Sequence, residues 1–112
     1  YLYVVFMCQQ AVEKLVKGLY VLYKDEEPPR THNIWNIFDM IFDIDELMKL
    51  QPLELEEYFS FFDELLAYYI SGRYPSYKNK LSKLVNEDKA IEILDKTKEV
   101  FIWLKSLRIL KE

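Results

Sequence analysis

Glycine and proline are scarce in this chain, with two of the first and four of the second in 112 residues. A sheet protein of this size needs many more turns, so the segments between breakers are long and helices are expected. One cysteine, Cys8, excludes an internal disulfide and suits a reducing compartment. It lies within a helical pattern and reads as a buried structural residue. With one histidine, His32, no zinc pattern arises from a single chain without several carboxylates. Carboxylates at helical spacing, such as Asp39 and Asp43, have no Glu-x-x-His to match them, which argues against a di-iron centre. A glycine-rich phosphate loop is missing, and no serine or cysteine nucleophile has an evident base. No uninterrupted apolar run reaches bilayer length, and no basic segment precedes a short apolar one as in a secretory signal. The expectations are a cytoplasmic protein with no membrane partner, no metal and no cofactor. The first residue is Tyr rather than Met, so the chain is expected to start within a longer gene product and to lack an N-terminal element.

What is present is apolar and aromatic: 51% hydrophobic residues and 16% Phe, Trp and Tyr, enough for one core in a single domain over residues 1–112. The net charge of −4 is uneven. Residues 1–72 carry −8 and residues 73–112 carry +4. Arg73, Lys78, Lys80 and Lys83 form a strip without an acid. Such a strip reads first as a solvated helix face, and the alternative is a local contact for an anionic partner.

The apolar positions Leu2, Val5, Phe6, Val12, Leu15, Val16, Leu19, Leu22 and Tyr23 recur at helical period and predict a first helix over residues 1–24. Gly18 is a candidate for a close helix crossing. Pro28 and Pro29 interrupt the chain, and Thr31 is the expected N-cap of a second helix. Its stripe is Ile34, Ile37, Phe38, Ile41, Phe42 and Ile44, fraying between Asp43 and Leu50. Pro52 at a first helical position, followed by Glu54, Glu56 and Glu57, opens a third helix to Ser71, with Gly72 as its stop. Arg73 therefore sits on a tight turn at the end of a rigid rod. A turn or two of helix is expected at Tyr77–Leu84. Asn86 caps the last helix, whose expected face is Ala90, Ile91, Leu94, Thr97, Phe101, Leu104 and Arg108, widened by Ile93, Val100, Trp103 and Leu107. The fold expected from this is an all-α, antiparallel (up-and-down) bundle of four to five helices. The stripes on the first and last helices are wider than one core requires, so a further helix or a second subunit is expected to cover them.

The polar residues left for chemistry are Gln9, Gln10, Glu13, Lys14, Lys17, His32 and Arg73. Glu13 and Lys17 stand four apart in the favourable order, worth about 0.2–0.5 kcal/mol to a helix. Gln9 and Gln10 lie about 100° apart on a helix, so at least one approaches the apolar stripe. A buried amide needs partners, and leaving it unsatisfied costs roughly 1–3 kcal/mol. A polar seam or a bond across a subunit boundary, formed by Gln9, Gln10 and Glu13, would supply them. Arg73 is the best candidate to contact phosphate or carboxylate through its planar fork. Gln10, Lys14, Lys17 and Lys78 are the candidates to help it. His32 at a helix start reads more readily as structural than catalytic.

The run Phe6-Met7-Cys8-Gln9-Gln10-Ala11-Val12-Glu13-Lys14-Leu15-Val16-Lys17-Gly18-Leu19 resembles the signature helix of HEPN domains. Thr31-His32-Asn33-Ile34 is similar to the start of their next helix, and Arg73-Tyr74-Pro75 to the Arg-Tyr-Pro after their third. The three motifs stand in the family's order and cover nearly the whole chain. The resemblance implies a HEPN-like helical bundle whose usual first helix would precede Tyr1. It also implies a homodimer and a prokaryotic toxin–antitoxin pairing with a minimal nucleotidyltransferase. Many HEPN proteins are metal-independent ribonucleases, in which an Arg steadies the phosphate and a His four to six residues later moves a proton. At those offsets this chain has Tyr77, Lys78 and Asn79, none of which replaces a histidine. Arg73 carries over and the following histidine does not. The expectation is a nucleotide-, RNA- or partner-binding module rather than an enzyme. The alternatives are a ribonuclease toxin using Arg73 with a non-standard acid/base, for which His32 is the candidate, and a structural helical dimer without a small ligand.

Overall fold

The computed structural model describes residues 1–108. These residues form six helices and no strand. The order is α1 (Leu2–Lys24), α2 (Ile34–Ile41), α3 (Ile44–Leu50), α4 (Pro52–Ser71), α5 (Pro75–Leu84) and α6 (Glu87–Leu107). The three long helices alternate in direction. Gly72, at the end of α4, meets Phe6 near the start of α1. Lys89 near the start of α6 meets Glu64, while Trp103 near its end meets Tyr58. Both contacts set α4 antiparallel to its neighbours.

α1 ends where Asp25 takes the left-handed conformation (φ 53°, ψ 40°) and its N–H closes on the Val21 carbonyl at 2.9 Å. Aspartate tolerates this region better than most residues. The segment 25–33 then doubles back along α1. His32 comes beside Glu13 and, further along, Phe42 beside Tyr23, so α2 runs alongside α1 in the same sense. From Lys24 back to the level of Glu13 is roughly 16 Å along a helix axis. The extended Pro28-Pro29 segment covers that distance.

The core is a continuous cluster from α1 (Val5, Val12, Val16), α2 (Ile34, Ile37, Phe38), α4 (Leu55, Phe62, Leu65) and α6 (Ile93, Val100, Leu104). A cluster of aromatic rings surrounds Phe38. Phe38, fully buried, has the rings of Phe42, Trp103, Phe59 and Phe62 at 4.7, 5.5, 5.7 and 6.0 Å. The Trp103 Nε1–H donates to Gln51 Oε1 at 2.8 Å and ties the last helix to the start of α4.

Several local expectations are corrected. The second segment is two helices. Phe42 is extended and the Asp43 carboxylate accepts from the Glu46 N–H, so the chain re-caps and turns instead of fraying. The N-cap of α2 is Asn33, not Thr31. Thr31 Oγ1 instead accepts from the Asn33 N–H, one step upstream. The basic stretch forms a longer helix than a turn or two, starting at Pro75. Gly18 faces open space, so no close crossing depends on it. Gly72 does mark the end of α4, but its φ is −69° and no left-handed geometry requires glycine there. What a side chain would meet is the tip of the Phe6 ring, whose Cζ would stand 2.2 Å from a Cβ at position 72 and would have to move. On α6 the buried line is Ala90, Ile93, Thr97, Val100, Trp103, Leu104 and Leu107, while Ile91, Leu94 and Arg108 lie outward.

Candidate functional site

Glu13 is a charged side chain in a helix face that otherwise faces the core, with 8% of its surface exposed. Three donors converge on its carboxylate. One turn earlier on α1, Gln9 Nε2 donates to Oε1 at 2.8 Å. One turn later, Lys17 Nζ donates to Oε2 at 3.0 Å. From the returning loop, His32 Nδ1 lies 2.9 Å from Oε1. Burial alone would push this carboxyl up, but the hydrogen bonds from His32, Lys17 and Gln9, with the Lys17 charge, outweigh it and hold Glu13 below the ordinary carboxylate value. An ionised carboxylate has no proton to give, so His32 donates through Nδ1–H. That leaves Nε2 as the ring nitrogen open to a proton or to a hydrogen bond.

Of the paired glutamines Gln9 is the buried one, 1% exposed, and Gln10 lies on the surface. Gln9 is therefore satisfied within its own chain, and no buried side-chain polar atom of the described residues lacks a partner.

His32 also stacks on Tyr69 of α4, with ring centroids 4.4 Å apart. The guanidinium of Arg73 lies over the same ring, Cζ 4.7 Å from its centroid. Tyr69 thus stands between two motifs far apart in sequence. Together these groups line a cleft of about 470 Å³ whose wall includes Gln10 and Lys14 from α1, Glu13, His32, Tyr69 and Arg73. A smaller adjoining hollow of about 170 Å³ runs from Arg73 to Phe6 and Gly72. Of the residues singled out in the sequence, Gln9, Gln10, Glu13, Lys14, His32 and Arg73 meet here. Lys17 is engaged by Glu13 behind the wall. Lys78 lies on α5, exposed and off the wall. Tyr69 is the site residue that sequence reading passes over, because its periodicity files it with the apolar face of α4. Its place in the last turn of α4, just before the tight turn that carries Arg73, is the available signal.

The charge of the cleft is favourable for an anion. Lys17 neutralises Glu13, and Arg73 and Lys14 have no carboxylate partner among the described residues. A comparable hollow of about 430 Å³ between α4 and α6 is the opposite: Glu57, Glu64, Glu92, Asp95 and Glu99 surround Lys96. It would repel phosphate. No three or more His, Cys, Asp and Glu side chains of the described residues are grouped to hold a metal ion. No helix of the described residues is long and apolar enough to cross a membrane.

The family model of the HEPN domain matches residues 1–107. No curated protein and no solved structure matches the chain.

Proposed function

This chain belongs to the HEPN domain family, and from that premise we propose that it binds the phosphate of a nucleotide or an RNA in the Arg73 cleft. The observation that carries the reading is the fixing of Arg73 on Tyr69 at the mouth of a cleft that also presents Lys14 and Gln10. The guanidinium offers two parallel N–H donors to phosphate oxygens, Lys14 adds a point charge, and Gln10 adds an amide donor. Titration calorimetry with adenosine and uridine 5′-monophosphates should give saturable binding that Arg73→Ala abolishes. Heats that are absent in the wild type, or unchanged in the variant, would sink the reading.

The proposal extends to a homodimer that partners a minimal nucleotidyltransferase in a toxin–antitoxin pair. An apolar strip between α1 and α6 supports the dimer: Val4, Met7, Ala11, Leu94 and Phe101 line it, and Met7 and Leu94 are 53% and 38% exposed. Met7→Glu with Leu94→Glu should shift the mass by light scattering from dimer to monomer. A monomeric wild type would count against this part alone.

One observation favours a second reading, metal-independent RNA cleavage. His32 shares the cleft with Arg73 and is oriented by a carboxylate, as a general base or acid must be. Nε2 would take the 2′-hydroxyl proton as the 2′-oxygen bonds to phosphorus and the P–O5′ bond breaks, the proton going on to the leaving 5′-oxygen, while Arg73 steadies the phosphate charge. Incubation with total RNA in chelator should then show cleavage by wild type and none by His32→Ala or Arg73→Ala. Intact RNA at high protein concentration leaves the binding reading in place.

A further inference from the structure

From Gly72 to Lys80 every residue but Gly72 is exposed, and α5 is held to the body through Leu81 with Val85 just after it. Helices usually have a reason to be a helix on the surface, such as a buried stripe or a lattice of ion pairs. α5 buries one side chain, and Lys78, Lys80 and Lys83 make no ion pair among the described residues. No acidic residue occurs between Glu64 and Glu87. Elsewhere on the helices Lys17, Lys49, Lys89 and Lys96 each meet a carboxylate, while Lys14, Lys24, Lys98 and Lys105 meet none among the described residues, so what sets α5 apart is that all of its lysines are unpaired.

Aromatic rings are set among these cations. Tyr74 and Tyr77 are each 56% exposed, with centroids 6.1 Å apart and planes at 89°. Lys80 Nζ lies 5.9 Å from the Tyr77 ring centre. Tyr77, Lys80 and Leu84 share one side of α5 at helical spacing, and Leu84 is 73% exposed. The strip starts at Arg73, so it is continuous with the cleft. Alternating cations and open aromatic faces match a strand whose phosphates run along the charge and whose bases are free to stack. A duplex has no unstacked base to offer, and a run of Asp and Glu has no flat ring for Tyr77.

We propose that α5 is a track for single-stranded nucleic acid, with Tyr74 and Tyr77 as stacking platforms and Lys80 and Lys83, on the Tyr77 side of the helix, along the phosphates, leading into the Arg73 cleft. The inference rests on the phosphate-binding reading of that cleft and extends it from the cleft itself to the surface of α5.

The test is fluorescence anisotropy of the full chain with labelled oligouridine, oligothymidine and a duplex RNA of the same length, at low and high salt. Both single strands should bind more tightly than the duplex and than uridine 5′-monophosphate. Tyr77→Ala should weaken the strand about tenfold, in the range of one lost base stack. Replacing Lys80 and Lys83 by Gln should weaken it further and flatten the log–log salt slope by roughly 1.4, as two lost phosphate contacts require. Neither variant should change binding of the mononucleotide, and because Tyr77, Lys80 and Lys83 are all exposed their circular dichroism should match the wild type. The two readings separate cleanly. If mononucleotide binding depends on Arg73 but strands bind no better than the mononucleotide, the track is wrong and the cleft stands. Equal affinity for duplex, or equally effective displacement of the strand by polyglutamate, also overturns the track. If nothing binds, both fail.

Discussion

His32 Nδ1 lies 2.9 Å from Glu13 Oε1 and joins the returning loop to the middle of α1. The same oxygen accepts from Gln9, which is almost wholly buried. Removing the carboxylate therefore does more than free a histidine. Glu13→Ala leaves the Gln9 amide without its acceptor, at a cost of about 1–3 kcal/mol by urea unfolding. Glu13→Gln keeps one acceptor oxygen and should cost visibly less. A Glu13→Ala protein as stable as the wild type would mean that Gln9 finds another partner by repacking.

The depressed pKa of Glu13 fixes the sign of a pH effect. A carboxyl held lower in the folded chain than in the unfolded one contributes stability that is present above its ordinary value of 4.5. That contribution is lost as pH falls through the folded-state value. The stability gap between wild type and Glu13→Gln should therefore be full near neutral pH and should close below about pH 4.5. Thermal midpoints measured for both proteins from neutral to acid pH check this. A gap that widens on acidification would contradict the network.

The helices are legible in the sequence because they depend on local periodicity, and so is the Gln9–Glu13–Lys17 line of the candidate site, whose members stand four apart on one helix. Glu13 and Lys17 pair as their spacing requires, and Asn86 caps α6 with its side chain on the Lys89 N–H. What stays hidden is tertiary. Gly72 looks like a helix-stopping glycine, and only the packing of Phe6 reveals it as a matter of space. On α6 the apolar pattern is wide enough to allow Ile91 and Leu94 inward, and the position of α4 decides against them. His32 and Arg73 stand far apart in sequence, and Tyr69, their shared contact, carries no mark of its role.

Gly72→Ala tests the packing of Phe6. The new Cβ meets the tip of the ring, which has to swing aside, and the backbone itself is unstrained at φ −69°. The cost should fall at the low end of overpacking, about 1 kcal/mol. Since Phe6 and Arg73 border the same small hollow, nucleotide affinity should also drop. Gly72→Ala combined with Phe6→Leu should recover part of the affinity. No recovery would mean that Gly72 acts through something other than the ring.

Asp43 separates α2 from α3 by accepting from the Glu46 N–H at 3.2 Å. Asp43→Ala should cost about 1 kcal/mol and Asp43→Ser much less, since serine caps as well as aspartate. The loss should be local: amide exchange should quicken over Ile44–Leu50 and stay unchanged in α1. Uniform quickening would mean that this short helix is integral to global unfolding.

Arg73→Lys separates charge from shape at the cleft. Lysine keeps the positive charge but has no planar fork to meet two phosphate oxygens, and it packs less well on the Tyr69 ring. Affinity for uridine 5′-monophosphate should fall about tenfold, equivalent to about 1.4 kcal/mol. The salt dependence should hardly change, because the number of charges is the same. Arg73→Ala should lose both affinity and part of the salt dependence. Calorimetric titrations of the three proteins at two ionic strengths give the comparison. If Arg73→Lys binds as tightly as the wild type, a point charge suffices and the bidentate grip is not what the cleft provides.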